Sequence, residues 1–489
     1  MALTTAHESA EKSVSVLTEA VKEYDIDFQA EKRLRRKLDW RILPIVSICY
    51  MFLFLDRTNV GNAKSAGLAE DLRLGTYDFN IGASLCPSPS SSRELASNWS
   101  PSRTSFFDFP SDSIDVYSPA HSIVAFGAVT IASAFIHNKA GFYATRVLLG
   151  ISEAVCYPGI SYLLSRYYRR HELTSRVGCF MLVAAGGAGG FGGLLAAGLL
   201  SVDHIGKGIL TAACGLVMLL IFPADSERTR MLTPAERKLA IARLYADQPS
   251  IAVTKERTTW SLVKRGILSP TTLACSWFFI TTNISVQGLG VFLPSILKLN
   301  YPDVSTVHIQ LLIVPVYIVA MIIALACCAG CVKYRIHWPF MLLSGALCLT
   351  GYTISLAVPQ TATKARYAAC FLSLTGGFIS GPIAVGWAAA NASPDTLRAM
   401  VGAVVTGIGN IGAIAGIWAY VATDAPTGYH KGNSFNVAMA ASLCVCCVGL
   451  TLYQRGENAK RKKGGRDYRL GRGGVERLGN LHPAFRYMT

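Results

Sequence analysis

The sequence predicts an all-α membrane protein made of two helical bundles, and three observations carry that prediction. Hydrophobic residues make up 51% of the 489 and charged residues only 16%, with a mean hydropathy of +0.37. That is too little polar material to coat a globule of this size. Eleven apolar runs are long enough to cross a bilayer, which takes about 20 residues at about 1.5 Å rise each. A charged stretch at 224–271, with nine Lys or Arg against five Asp or Glu, falls at the chain's midpoint with five runs before it and six after. Two similar halves around a central loop are the outline of repeated bundles.

Taken in order, residues 1–41 are a polar tail that turns strongly basic at 32–41, and residues 1–30 lack the apolar segment of a cleavable signal peptide. The N-terminal bundle, 42–223, holds runs at 42–62, 119–137, 141–165, 174–200 and 207–223. The loop 224–271 follows. The C-terminal bundle, 272–453, holds runs at 272–297, 308–330, 337–358, 366–391, 399–422 and 434–453, and a basic tail, 454–489, closes the chain. Basic residues gather at 32–41, at Arg166, Arg169, Arg170 and Arg176, in the central loop, at Lys333 and Arg335, and between Arg455 and Arg486, whereas the connections 201–207 and 423–431 are short and nearly balanced. This alternation is the positive-inside pattern, and it puts both termini and the central loop in the cytosol. It also accounts for the net charge of +16 without a nucleic-acid partner. Lys460-Arg-Lys-Lys463 reads as a solvated run that can meet anionic headgroups.

The topology exposes a fault. The basic segments at 32–41 and 166–176 can share one side only if an even number of spans separates them, and three are found. The stretch 84–118 is where the missing span should lie, yet it holds twelve serines, four prolines and six charged residues. No helix of that composition crosses a bilayer, because its hydroxyls and charges cannot be solvated there. The second span is therefore expected to be missing or damaged, by a retained intron or a frameshift; the alternative is a disordered insert with inverted topology after it.

Chemistry concentrates in Arg146-Val-Leu-Leu-Gly-Ile-Ser-Glu-Ala-Val-Cys-Tyr-Pro-Gly159. An ionisable residue in hydrocarbon costs about 2.5–3.5 kcal/mol on insertion scales and marks a candidate functional site. Arg146, Gly150, Glu153 and Tyr157 fall on one helical stripe that can face an aqueous cavity; the plainer reading is that Arg146 snorkels and Glu153 pairs with it. A guanidinium is a forked donor that stays charged, so Arg146, and after it Arg57, are candidates to hold a carboxylate. A carboxyl whose pKa rises with burial and falls beside a guanidinium can load and release a proton, which nominates Glu153 and then Asp56. In the second half, Asn283 and Gln287 share a face and either bind substrate or bridge helices. Tyr317 and Trp387 either stack on a planar substrate or fill the bundle, and Asn410 lies in a glycine-dense run.

Other features point away from chemistry. Glycine clusters at 186–193 and 402–416 signal close helix packing. Fourteen cysteines lie almost wholly in apolar runs without His or carboxylate at ligand spacing, so neither metal nor cofactor is expected. Asn98-Trp-Ser100 and Asn391-Ala-Ser393 fit the glycosylation pattern only formally: the first lies in the suspect stretch, the second on the cytosolic side. No phosphate loop or nucleophile–base constellation marks an enzyme.

Leu55-Asp-Arg-Thr-Asn-Val-Gly-Asn-Ala-Lys-Ser-Ala-Gly67, the Arg146 motif, Asp467-Tyr-Arg-Leu470 and His482-Pro-Ala-Phe-Arg-Tyr487 together resemble the fungal allantoate permease group, in the anion:cation symporter branch of the major facilitator superfamily. The resemblance runs along nearly the whole chain after residue 30. It implies twelve helices in two six-helix bundles, the major facilitator fold, with substrate held between them near the midplane. Two departures stand out. Nothing in 84–118 matches the family's second span and the loop after it, and its Trp-rich stretch between the fifth and sixth spans is replaced by Asp203-His-Ile-Gly-Lys-Gly208.

The expected function is proton-coupled import of a small organic anion, such as allantoate, nicotinate, pantothenate or another carboxylate, by a monomer in the plasma membrane or, failing that, the vacuolar membrane. The partners are the anion, protons and the lipid bilayer. The alternatives are an exporter of an acidic metabolite and a non-transporting sensor or inactive product of a damaged gene.

Overall fold

The computed structural model describes residues 28–65, 68–75, 77–85, 118–133, 135–153, 160, 163–164, 167–168, 170–199, 231–247, 260–392, 395–469, 479–481, 483 and 485–489. All regular structure among them is helical. In the first half, besides a single turn of helix at Leu68–Asp71, these are α1 (Phe28–Ser65), α2 (Asp78–Leu85), α3 (Ser118–Ser133), α4 (Lys139–Glu153) and α5 (Arg170–Leu199), followed by α6 (Pro234–Asp247) and α7 (Trp260–Ile267) from the central loop. The second half comprises α8 (Pro270–Asn300), α9 (Thr306–Tyr334), α10 (Trp338–Ala357), α11 (Thr363–Ala390), α12 (Asp395–Gly409), α13 (Ile411–Ala419) and α14 (His430–Lys462). Six spans among the described residues are long and apolar enough to cross a membrane, all from Pro270 onward; α12 and α13 together supply one, Met400–Ala419.

The six match the runs expected after the central loop, with two differences. The run expected at 399–422 is broken: α12 stops at Gly409 and α13 starts at Ile411. The last helix extends to Lys462, past residue 453, because a helix satisfies its own backbone in water as well as in lipid and Gln454, Glu457 and Arg461 find buried partners there. In the first half, α1 begins at Phe28, well before the apolar run at residue 42, and Leu34 and Leu38 are buried on its inner face. The two turns of α2 come just before and into the suspect stretch; 86–117 lies outside the described residues, as does the run expected at 207–223.

Helix boundaries follow local chemistry. Pro270 opens α8, where its missing N–H costs nothing. The Ser305 hydroxyl accepts the His308 N–H at the start of α9, and Arg335 ends that helix in the left-handed region with φ 55°. One end of the molecule carries residues 28–41, Arg176, Arg335 and the 455–469 segment and is called the basic end.

At the basic end the first half is tied together by charge. Arg176 on α5 grips Asp39 on α1 through two bonds of 3.0 and 3.1 Å. Lys37 pairs with Glu236 at 2.6 Å, and the fully buried Arg243 of α6 donates to the Tyr167 carbonyl at 2.7 Å. The Lys37 bond, with help from the Thr233 N–H and hydroxyl, holds the Glu236 carboxyl below its usual range. The central-loop helix is thereby docked on the N-terminal bundle, with Leu232, Leu239 and Ala240 in the same cluster as Leu34, Leu38, Ile42 and Val46.

The second half packs α10 against α11 and α14, and α8 against α11, α12 and α13. The halves meet where α5 lies on α9, α1 on α8 and α2 on α13. Glycine makes these contacts close. A Cβ at Gly412 would run into the Ile280 carbonyl and one at Gly416 into the Ile284 carbonyl, while Gly189 receives the Tyr317 ring and Gly61 the Val291 carbonyl. Gly402 has open space on its Cβ side.

Overpacking typically costs about 1–3 kcal/mol, so Gly412→Ala is expected to lower thermal stability and monodispersity of the purified protein. Gly402→Ala is expected to be neutral. Equal melting temperatures for the two variants would contradict the packing assigned to Gly412.

Candidate functional site

Opposite the basic end, side chains from both halves converge. Val60 of α1, Phe79 and Ala83 of α2 and Phe142 of α4 form one cluster with Val291 and Phe292 of α8, Ile417 of α13, Tyr420 and Tyr429. Phe292 stacks on Tyr420 with centroids 5.5 Å apart and meets Phe79 edge-on at 6.1 Å. The Lys64 ammonium sits 4.3 Å from the Phe79 centroid and 4.4 Å from that of Phe292, so one cation bridges a ring from each half. Such a contact is worth about 0.5–2 kcal/mol according to its desolvation. Asn80, wholly buried on α2, donates to the Ile417 carbonyl at 2.8 Å and the Tyr420 carbonyl at 3.1 Å. These carbonyls lie at the frayed end of α13, where intrahelical donors run out.

The rim of this closure is polar. Asp78 accepts the Gly75 N–H at 2.9 Å and the Tyr143 hydroxyl at 3.0 Å, with Lys139 at 3.5 Å. The Gly75 and Tyr143 bonds, aided by Lys139, hold its carboxyl below the ordinary aspartate range.

Arg146 lies one helical turn from this cluster. Its guanidinium stands 5.4 Å from the Phe142 centroid, and the residue is half-buried. On α4, Leu148 and Ile151 are 50% and 45% exposed, whereas Phe142 and Leu149 are 1%. The helix therefore turns one face outward and sets Phe142, Arg146, Leu149 and Gly150 on the other, with Glu153 next along that stripe at the end of α4. The Glu153 side chain and Tyr157 lie outside the described residues, as do the side chains of Asp56, Arg57 and Asn59 on α1.

The second-half candidates separate into different environments. Asn283, 8% exposed, donates to the Gly409 carbonyl at 3.1 Å, where α12 gives way to α13. Its amide thus satisfies a backbone group released by the break, which is the helix-bridging alternative. Gln287 is half-buried one turn along α8, and Asn410 stands at the break itself, half-buried. Tyr317, 4% exposed, is wedged between Gly189 of α5 and Phe378 of α11, at the seam of the halves.

Trp387 lies elsewhere. It is fully buried near the basic end, stacked between Phe278 and His337, and its indole N–H donates to the Met488 carbonyl at 2.8 Å. Asn391 pairs with both the N–H and the carbonyl of Met488, and the His337 N–H donates to the Thr489 carbonyl. Trp387 and Asn391 thus hold the C-terminal segment, and the Asn391 amide of the formal glycosylation site is occupied. Burial pushes the His337 imidazole down to about 4, so it is neutral in this packing. Among the described residues no cluster of His, Cys, Asp or Glu could hold a metal ion.

Lys64 and Asn80 were legible only as residues of a motif and of an unremarkable polar turn. Their roles in joining the halves depend on Phe292, Ile417 and Tyr420, each more than 200 residues away.

Comparison with known proteins adds an independent line. The Major Facilitator Superfamily model matches residues 115–417. An uncharacterized transporter of Schizosaccharomyces pombe is 28% identical over 462 residues, covering 92% of each chain. The high-affinity nicotinic acid transporter of Saccharomyces cerevisiae is 25% identical over 475 residues, covering 94% of this chain and 85% of its own. A bacterial homolog of the human lysosomal transporter Spinster, solved inward-facing and unoccupied, superposes with a TM-score of 0.57 at 14% identity over 83% of this chain and 95% of its own.

Removing the Asn80 amide takes away two bonds between the halves, each worth about 1 kcal/mol net. Asn80→Ala is expected to raise the modification rate of a cysteine placed at Val60 by about thirtyfold. An unchanged rate would mean that Asn80 does not hold the closure.

Proposed function

The chain belongs to the Major Facilitator Superfamily, and from that membership we propose that it imports a small organic anion in symport with protons, in the manner of the allantoate permease group. It is a multi-pass membrane transporter rather than an enzyme. The observation that carries the finer reading is the position of Arg146: a permanent cation on the inward stripe of α4, one turn from the cluster where the halves meet. The likeness to a nicotinic acid transporter supports a carboxylate as its ligand.

In this reading the guanidinium holds the carboxylate by a forked pair of hydrogen bonds. The sealed cluster of Lys64, Phe79, Phe292 and Asn80 keeps water from crossing on the far side. Rocking of the halves about the α5–α9 and α1–α8 contacts opens that cluster and closes the basic end. Glu153, two turns along the stripe, carries the proton: it protonates on the acidic side and releases the proton when Arg146 is drawn toward it. Arg57 and Asp56 are the second cation and second carboxyl of the pathway, and Gln287, Tyr317 and Asn410 contribute from the C-terminal half. The basic end faces the cytosol, with both termini on that side, and the membrane is the plasma membrane.

Uptake of labelled nicotinate, allantoate and pantothenate by expressing cells at pH 5 and pH 7 tests this reading. Accumulation is expected at pH 5, with Arg146→Gln reducing it at least 100-fold, the order expected when a charge-assisted bidentate contact of about 3 kcal/mol is lost. Glu153→Gln is expected to keep exchange of labelled for unlabelled anion but to lose its pH dependence. Undiminished proton-driven accumulation in Glu153→Gln would refute the assignment, and net depletion of label would turn the direction to export.

We infer further that 84–118 stands in place of a second span through a fault in coding, since α2 is already seated on α13 when the composition turns to serine and proline. Sequencing the transcript across codons 81–120 is expected to reveal an alternative reading that encodes some 20 apolar residues, the number a span requires. A transcript identical to the present sequence, with full transport, would overturn the inference.

A further inference from the structure

Within the C-terminal bundle a cavity of about 20 Å³ lies between α8, α10, α11 and α14. Arg366 in the first turn of α11 lines it, 6% exposed. Its hydrogen bonds both come from Nη2, to the Ser355 carbonyl at 3.4 Å and the Gly428 carbonyl at 3.2 Å. Among the described residues no carboxylate pairs with this guanidinium, whose bonds go to neutral carbonyls alone.

A guanidinium does not deprotonate in proteins, so burial cannot neutralise it. Such a charge needs an opposite one. Asn300 lines the same cavity, 5% exposed, and its Nδ2 has no hydrogen-bond partner. A buried donor without an acceptor asks for the same complement as the cation does. Ser373, Tyr352 and Asn433 complete a polar wall over Leu289. Gly428 has φ +71°, and a Cβ there would come within 2.8 and 3.0 Å of the two Nη atoms. The loop is thus shaped to let the guanidinium in.

We propose that this cavity is a binding site for a monovalent inorganic anion of halide size, held by Arg366 and Asn300 as a structural counter-ion of the C-terminal bundle. Size selects the guest: a cavity needs about 10–15 Å³ to take one water, so this one admits a single small ion and excludes an organic carboxylate. The site is separate from the transport pathway, and its occupancy does not depend on which substrate is carried.

The test measures the melting temperature of the purified full-length protein in sodium gluconate as chloride or bromide is titrated in at constant ionic strength. A saturable rise of roughly 3 °C is expected at a hundredfold excess over the dissociation constant, and bromide should give an anomalous peak beside Arg366 in crystals. Arg366→Gln should abolish the rise. Asn300→Asp, which puts a fixed carboxylate beside the guanidinium, should match or exceed the wild-type stability in gluconate and ignore halide. Wild-type stability that is indifferent to halide, or a halide response that survives in Asn300→Asp, would overturn the proposal even if Arg366→Gln fails to fold.

Discussion

Where side chains would stand at Gly412 and Gly416, the carbonyls of Ile280 and Ile284 stand instead, and at Gly61 it is the carbonyl of Val291. The helices therefore meet backbone to backbone. In lipid there is no hydrophobic force to drive helices together, so association rests on contact area and on polar groups satisfied between helices. Glycine lets the axes approach, and at Gly409 its carbonyl is bonded by Asn283 of the neighbouring helix. Across the seam itself glycine also receives side chains, as Gly189 receives the Tyr317 ring.

The two ends of the molecule are held differently. At the basic end the ion pairs Arg176–Asp39 and Lys37–Glu236 join elements of the first half, and the Trp387–Asn391–Met488 contacts join elements of the second. At the opposite end, Lys64 over Phe79 and Phe292 and Asn80 on Ile417 and Tyr420 join one half to the other. Strength within each half with closure between halves at one end is what a rocking carrier requires of one of its states.

The C-terminal segment shows how a terminal motif can be part of a bundle. Arg461 donates to the carbonyls of Asn480 and Phe485, Asn458 exchanges bonds with Tyr487, and Trp387 and Asn391 take Met488. The stretch from Phe485 to Thr489 therefore satisfies polar groups at the basic end of α11 and α14 that would otherwise face a changing solvent. It also explains why Trp387 packs with protein here although its residue type suits a planar ligand.

The sequence by itself determined the helical membrane class, the six spans after the central loop and the packing role of the glycine runs, because bilayer thickness and the absence of water fix segment length and composition locally. It also marked Arg146, since a charge in an apolar run is conspicuous whatever surrounds it. Only the tertiary structure decided what Lys64, Asn80, Trp387 and Arg366 do. Their partners lie on helices that the chain brings together only after folding, and a single residue's chemistry is the same whether it faces a ligand, a ring or a backbone carbonyl.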